Sequence, residues 1–346
     1  MTSPSTVTTR QRVLLVAASS VVMLGLLAAG EIAVRVLGDV NFLGSSRGGF
    51  TTGRFGASYG NTPNFAGQSF GGPFETDGDG FRVDPRFRPT APAGAPAVLM
   101  LGDSVLFGPA VSDDETISGR LRRALPNLTV YNAAAVGYDT FDYRNVAQSL
   151  VPRKADVKTV VIVYCLNDLL AVSSQQIKDQ LARLPDATPP PDSSPLRLAN
   201  DYLRTRSKLF LLLRGLVRDA QMNYFQHDLQ QYRDAEGLAR GLEPLRDLKA
   251  YLDRHDVGLK VFIAPYEAQL RAGIPDDFGL PQRRLVEYFE QQRITAVDLL
   301  PEFVAASRGR SRTLYLYGDP MHLNAAGHDV AARVIQQSLR GGPPAE

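Results

Sequence analysis

The longest apolar stretch of the chain lies near its start. Val13 to Gly30 carries no charge and is dominated by Val, Leu, Ala and Met, with Ser19 and Ser20 in its middle. Ile32, Ala33, Val34, Val36 and Leu37 prolong it past Glu31. A helix of that length approaches what a hydrocarbon core about 30 Å thick requires. Arg10 and Arg12 precede it, so the positive-inside rule predicts a cytoplasmic tail over 1–12, a transmembrane signal-anchor over 13–37, and everything later outside the cytoplasm. Ala28-Ala29-Gly30 offers small residues to a peptidase, so secretion after cleavage is the alternative. The length of the apolar run favours the retained anchor.

From residue 97 onward, short apolar runs alternate with segments of helical period. Strands are expected at Ala97–Leu101, Leu128–Ala133, Thr159–Cys165, Leu259–Ala264 and Ala296–Leu299. Helices are expected from a capping box at Ser112-Asp113-Asp114-Glu115 through Ala124, over Glu243–His255 and Pro281–Gln292, and from Asn324 to about Leu339. Continuous apolar strands suit a sheet covered on both faces. The alternation therefore predicts an α/β domain over 97–340, three-layer α/β/α with a five-stranded, mostly parallel sheet. In such sheets the chemistry collects beyond the carboxyl ends of the strands, where Ser104, Gly137 and Asn167 all fall.

Two stretches break this pattern. Residues 38–96 are rich in Gly, Phe and Pro and read as a linker or pre-domain. Phe42, Phe50, Phe55, Phe65, Phe70 and Phe74 are too many aromatics for a solvated tether, so packing is expected, particularly at Thr76 to Arg82. Pro89 to Pro96 reads as the last hinge before the domain. A helical insertion is expected over 171–240, with a loop at Pro189-Pro190-Pro191 and one long helix from Leu196 to about Tyr224. Core packing is the expectation for that helix; a lid or a surface resting on a membrane is the alternative. Its basic residues exclude a second transmembrane span. Residues 341–346 read as a tail.

Composition narrows the classes little. Of 346 residues 44% are hydrophobic, and the net charge of +2, with scattered arginines, gives no pull toward nucleic acid. A lone cysteine, Cys165, excludes an intrachain disulfide, and no metal-ligand spacing stands out, so neither metal nor cofactor is expected.

Four separated stretches carry the candidate chemistry: Gly102-Asp103-Ser104 with Val105, Gly137 in Ala135-Val136-Gly137-Tyr138, Asn167 in Cys165-Leu166-Asn167-Asp168, and Asp319-Pro320-Met321-His322. Each residue has an ordinary alternative. Ser104 and Asn167 suit caps, Gly137 a positive φ, Asp319 a helix start and His322 a loop. Asp103 and Asp168 are expected to bond nearby backbone N–H groups, and His328 to be structural. In order and spacing, however, the four stretches resemble the signature blocks of the SGNH (GDSL-type) hydrolase family, over roughly Val98 to Leu339.

That resemblance implies a flavodoxin-like SGNH fold and a role for each matching residue. Ser104 would be the nucleophile, His322 the general base and then acid, and Asp319 the carboxylate that holds His322. The oxyanion would be met by the backbone N–H groups of Ser104 and Gly137 and by the Asn167 amide. The family's third block usually begins with Gly, where this chain has Cys165; packing beside the oxyanion hole is the expected consequence. The resemblance, with the anchor, implies an extracytoplasmic serine esterase that removes O-acyl (acetyl) groups from a cell-surface glycan. An O-acyltransferase, a lipid esterase and a catalytically silent glycan-binding or assembly protein are the alternatives. The expected partners are an acylated glycan or other ester substrate and the membrane.

Overall fold

Apolar runs covered on both faces form the centre of the molecule. The computed structural model describes residues 8–341 except 39, 42–44, 47, 85, 87–90, 93, 170–193 and 218. The expected loop at Pro189-Pro190-Pro191, part of the 89–96 hinge and most of the tails lie outside the described residues.

The chain begins with α1 (Thr9–Leu37), 29 residues with none buried. By length and composition it could cross a membrane. Five short antiparallel strands follow: β1 (Phe50–Thr52), β2 (Tyr59–Asn61), β3 (Ala66–Ser69), β4 (Gly72–Thr76) and β5 (Arg82–Val83). They form one two-stranded and one three-stranded sheet. Tyr59, Phe74 and Phe81 from this segment join the main core. Arg82 is fully buried and donates to the carbonyls of Phe107, Gly108 and Val111. Part of residues 48–83 thus packs on the domain, through these three aromatics and Arg82.

Then come β6 (Ala97–Gly102), α2 (Ser104–Phe107), α3 (Ile117–Ala124), β7 (Thr129–Asn132), α4 (Thr140–Leu150) and β8 (Val157–Tyr164). All six residues of β6 are buried, as a strand between two helical layers requires. Ser112 does form a capping box with Glu115, but it caps a three-residue 3-10 turn. The helix restarts at α3 because Thr116 is extended and its side chain accepts from Gly119 N.

The expected helix from Leu196 to Tyr224 is three helices, α5 (Pro195–Arg206), α6 (Lys208–Val217) and α7 (Ala220–Leu229). Ser207 breaks the first junction, where its hydroxyl accepts from Phe210 N and donates to Glu31 of α1. Asp219 breaks the second by capping Met222 N. Core packing was the wrong expectation for the middle piece, because α6 has no buried residue.

The last elements are α8 (Ala235–Asp253), β9 (Gly258–Ile263), α9 (Leu280–Gln291), β10 (Thr295–Asp298), α10 (Leu300–Ser307) and α11 (Ala325–Leu339). Helix α8 starts eight residues before the expected Glu243, since Asp234 caps it and Pro244 is accommodated inside it.

The main sheet has five parallel strands in the order β10-β9-β8-β6-β7. The chain steps from β6 to β7 in one direction, then crosses back past β6 to β8. Right-handed crossovers therefore put α3 on one face and α4, α8 and α9 on the other. Accordingly α3 packs against α11 and α4 against α8. The order reverses between the carboxyl ends of β6 and β8, which is where such sheets open a crevice.

Candidate active site

Strand β6 delivers Ser104 to that crevice. At Gly102 a side chain would meet Leu106 Cβ at 2.6 Å and Val163 O at 3.0 Å, so only glycine lets the strand turn so sharply into α2. Asp103 caps the turn, its Oδ1 accepting from Val105 N at 2.7 Å. Ser104, the first residue of α2, has an N–H with no acceptor inside the helix.

His322 arrives on the loop before α11. Tyr315 and Leu323 pair across this loop, and Leu316 N donates to His322 O. Asp319 Oδ1 accepts from the N–H groups of Met321 and His322 at 3.0 and 2.8 Å. That leaves Oδ2 to meet His322 Nδ1 at 2.7 Å. On the far side of the ring, Nε2 lies 2.8 Å from Ser104 Oγ. The structure thus joins Asp319, His322 and Ser104 in one hydrogen-bonded line across 218 residues of sequence.

Electrostatics suit proton transfer along this line. Burial alone would raise the Asp319 pKa, but the charge of His322 and the hydrogen bonds from its ring and backbone hold it below the ordinary value. For His322, burial pulls the pKa down, yet Asp319 and then Asp103 raise it above 6.5. Burial raises the Asp103 carboxyl, while Val105 N–H, His322, Ser104 and the Asn167 side chain pull it back. Asp103 Oδ2 also lies 3.1 Å from Ser104 Oγ, so the serine hydroxyl, with one proton, has two acceptors to choose between.

Gly137 sits in the turn Ala135–Tyr138 with φ 81°, a conformation open to glycine. The turn's own bond runs from Tyr138 N to Ala135 O and leaves the Gly137 N–H outside it. Strand β2 pins this loop from above. Tyr59 OH donates to Val136 O at 2.6 Å, Asn61 Nδ2 donates to Ala134 O at 2.9 Å, and Tyr138 OH donates back to Tyr59 O at 2.9 Å.

Asn167 lies on a 3-10 turn after β8, half-buried, with its amide bonded toward Asp103 and its Oδ1 buried without a partner. Asp168 secures that turn through Oδ2, which accepts from Cys165 N and Tyr143 OH, each at 2.7 Å. Cys165 is buried with its sulfur 3.9 Å from that of Met321. Burial, then Asp103 and Asp168, push its thiol pKa well up, which suits packing and not nucleophilic attack.

Phe70 enters the site unannounced. It is the tip of the β3–β4 hairpin, and its ring meets that of His322 edge-on at 5.0 Å. Phe70 and Gly71 both have positive φ, at 51° and 80°, as a two-residue hairpin turn demands. Asn or Gly normally fills the first of these positions, so a phenylalanine there holds a strained backbone beside His322. An aromatic directly before Gly71-Gly72 was the only trace of this in the sequence.

No family model matches the chain, and no curated protein matches it. Solved structures similar to it include Axe2, an acetylxylan esterase from Geobacillus stearothermophilus, at 13% identity and TM-score 0.43, over 73% of this chain and 96% of that one. A lipase/acylhydrolase from Enterococcus faecalis has 13% identity and TM-score 0.41, over 72% and 99%. LAE5, an alpha/beta hydrolase from the metagenome of Lake Arreo, Spain, has 12% identity and TM-score 0.40, over 70% and 95%. These neighbours are esterases and hydrolases.

Proposed function

We propose that the chain is a membrane-anchored serine ester hydrolase of the SGNH type. The observation that carries this is the line Asp319 Oδ2–His322 Nδ1 at 2.7 Å and His322 Nε2–Ser104 Oγ at 2.8 Å. Neutral His322 takes the Ser104 proton as Oγ attacks the acyl carbon, and Asp319 stabilises the imidazolium that forms. The carbonyl oxygen, now negative, is met by the N–H groups of Ser104 and Gly137 and by the Asn167 amide. His322 then returns the proton to the leaving alcohol, and the acyl group stays on Ser104. Water, deprotonated by His322, releases the acid and restores the serine.

In this proposal residues 1–12 form a cytoplasmic tail, 13–37 the anchor, and 97–340 the hydrolase domain outside the cytoplasm, with 48–83 as an integral cover. The substrate we assign is an O-acetyl ester on a cell-surface glycan, in keeping with the block resemblance and the anchor. Acetate release from an acetylated glycan, compared with transfer to a sugar acceptor, tests that assignment. Hydrolysis of p-nitrophenyl acetate by the full chain, beside Ser104→Ala and His322→Ala, tests the reaction class; equal activity in all three would remove the proposal.

A further inference from the structure

The chemistry above makes no use of the apolar face of α6. Leu213, Leu216 and Val217 on it are 49%, 68% and 85% exposed. Leu209 precedes them by four, seven and eight positions, so all share one helical stripe. At its start the stripe meets α1, where a side chain on Gly30 would come within 3.1 Å of Leu209 Cδ2. Glu31 of α1 caps α6, accepting from Lys208 N and Leu209 N, each at 3.0 Å, and from Ser207 Oγ at 2.8 Å. Arg35 of α1 donates to Arg206 O at 2.7 Å. The face that begins against α1 therefore runs on into exposure.

Height and charge identify what covers it. From Val13 to Gly30 a helix rises about 27 Å, close to the thickness of a hydrocarbon core. That sets Glu31, and with it the start of α6, at the boundary between acyl chains and headgroups. Residues 195–218 contain Arg197, Arg204, Arg206, Lys208, Arg214 and Arg218 against Asp201 alone. An apolar stripe within a basic segment matches an interfacial helix on anionic lipid. The other side of α6 touches the catalytic loop: Tyr317 OH donates to Leu212 O at 3.0 Å, and the Tyr317 ring lies against Gly215. Asp319 follows two residues later.

We infer that α6 lies in the headgroup layer of the bilayer that α1 spans, with an anionic lipid surface as the occupant of its apolar face. This rests on the anchor proposed above. Two contacts, α1 through the membrane and α6 along it, then hold the Asp319–His322 loop about one helix diameter, ~10–12 Å, from the surface. Esters presented at the membrane surface come within reach of Ser104.

The chain has no tryptophan, so single probes can be introduced without background. Leu216→Trp, Leu24→Trp and Arg254→Trp are placed one at a time in the full chain and reconstituted in nanodiscs with anionic, acyl-brominated lipid. Arg254 precedes β9, on the rim opposite the site. Fluorescence is expected to be lost at positions 24 and 216 and retained at 254, each judged against unbrominated lipid. Loss at 24 with none at 216 overturns the inference and leaves the anchor standing; no loss at either overturns both. Equal loss at 216 and 254 removes the specific face. Equal loss at 216 in neutral lipid removes the anionic occupant. Hydrolysis of a soluble p-nitrophenyl ester by each variant reports separately on the catalytic reading.

Discussion

Tyr59 is the sharpest test of how the site is held together. Its hydroxyl donates to Val136 O, and that carbonyl shares one planar trans peptide with the Gly137 N–H. Holding the oxygen on one side aims the N–H to the other, so Tyr59 orients a donor of the proposed oxyanion hole. Burial, and then the charge of Asp142, raise its pKa well above the ordinary value, so it remains a donor throughout. Tyr59→Phe removes one O–H and keeps the ring that packs on Tyr138 at 5.5 Å. A fully buried carbonyl left unpaired costs about 1–3 kcal/mol, and the part-buried Val136 carbonyl falls at the lower end of that range, enough to favour rotation of the peptide away from its active orientation. With each 1.36 kcal/mol worth about tenfold, kcat is expected to fall roughly tenfold. The ceiling is about 10²–10³, the cost of losing a donor outright. KM is expected to hold, because this contact matters only when the oxyanion forms. The comparison is Tyr138→Phe, which breaks the adjacent bond to Tyr59 O but leaves the Val136 carbonyl paired. Steady-state kinetics on p-nitrophenyl acetate, with melting temperatures for both variants, decide the matter. Equal kcat losses at equal destabilisation, or a loss confined to KM, would refute the orienting role.

Other expectations follow from the same geometry. Asp319→Asn should cost about 10⁴-fold in kcat with the fold intact by circular dichroism, since it leaves His322 in the wrong tautomer. Because Asp319 and Asp103 raise the His322 pKa and the base must be neutral, activity should fall as pH drops through a value above 6.5. Asp103→Asn removes one raising charge, so the acid limb of the kcat/KM profile should move to lower pH. Phe70→Asn relieves the strained hairpin turn while removing the ring beside His322, so activity should drop without a loss in melting temperature. His328 is buried, and burial followed by Arg82 pushes its pKa down to about 3. The unfolded chain therefore takes up this proton near pH 6.5 while the folded one does not, and stability is lost as pH falls from about 6.5 to about 3. His328→Leu should flatten that stretch of the denaturation curve.

Much of the sheet was legible because its strands announce themselves. Ala97–Gly102 and the Val160–Tyr164 stretch of β8 are apolar runs covered on both faces, and their ends place Ser104 and Asn167 on one rim. The Asp319–His322 pair was legible because four consecutive residues of one loop carry both side chains. Helix α4 went unread, since Thr140–Leu150 mixes polar and aromatic residues and its start is marked only by the Asp139–Asp142 capping pair. Strands β1–β5 are two to five residues each, too short for any period to emerge. Tyr59 and Phe70 were out of reach for another reason. Their partners lie far along the chain (77 residues away for Tyr59), and only the folded pre-domain brings them over the site. The break at Ser207 likewise depends on Glu31, a contact 176 residues distant.

Nucleophilic attack by Ser104, with His322 as its base, is the step on which the proposed hydrolysis depends. Fluorophosphonate labelling of the full chain, followed by mass-spectrometric mapping of the adduct, addresses it directly. A single adduct on Ser104 is expected, lost in Ser104→Ala and strongly slowed in His322→Ala. An unlabelled protein, or an adduct on any other residue, would contradict it.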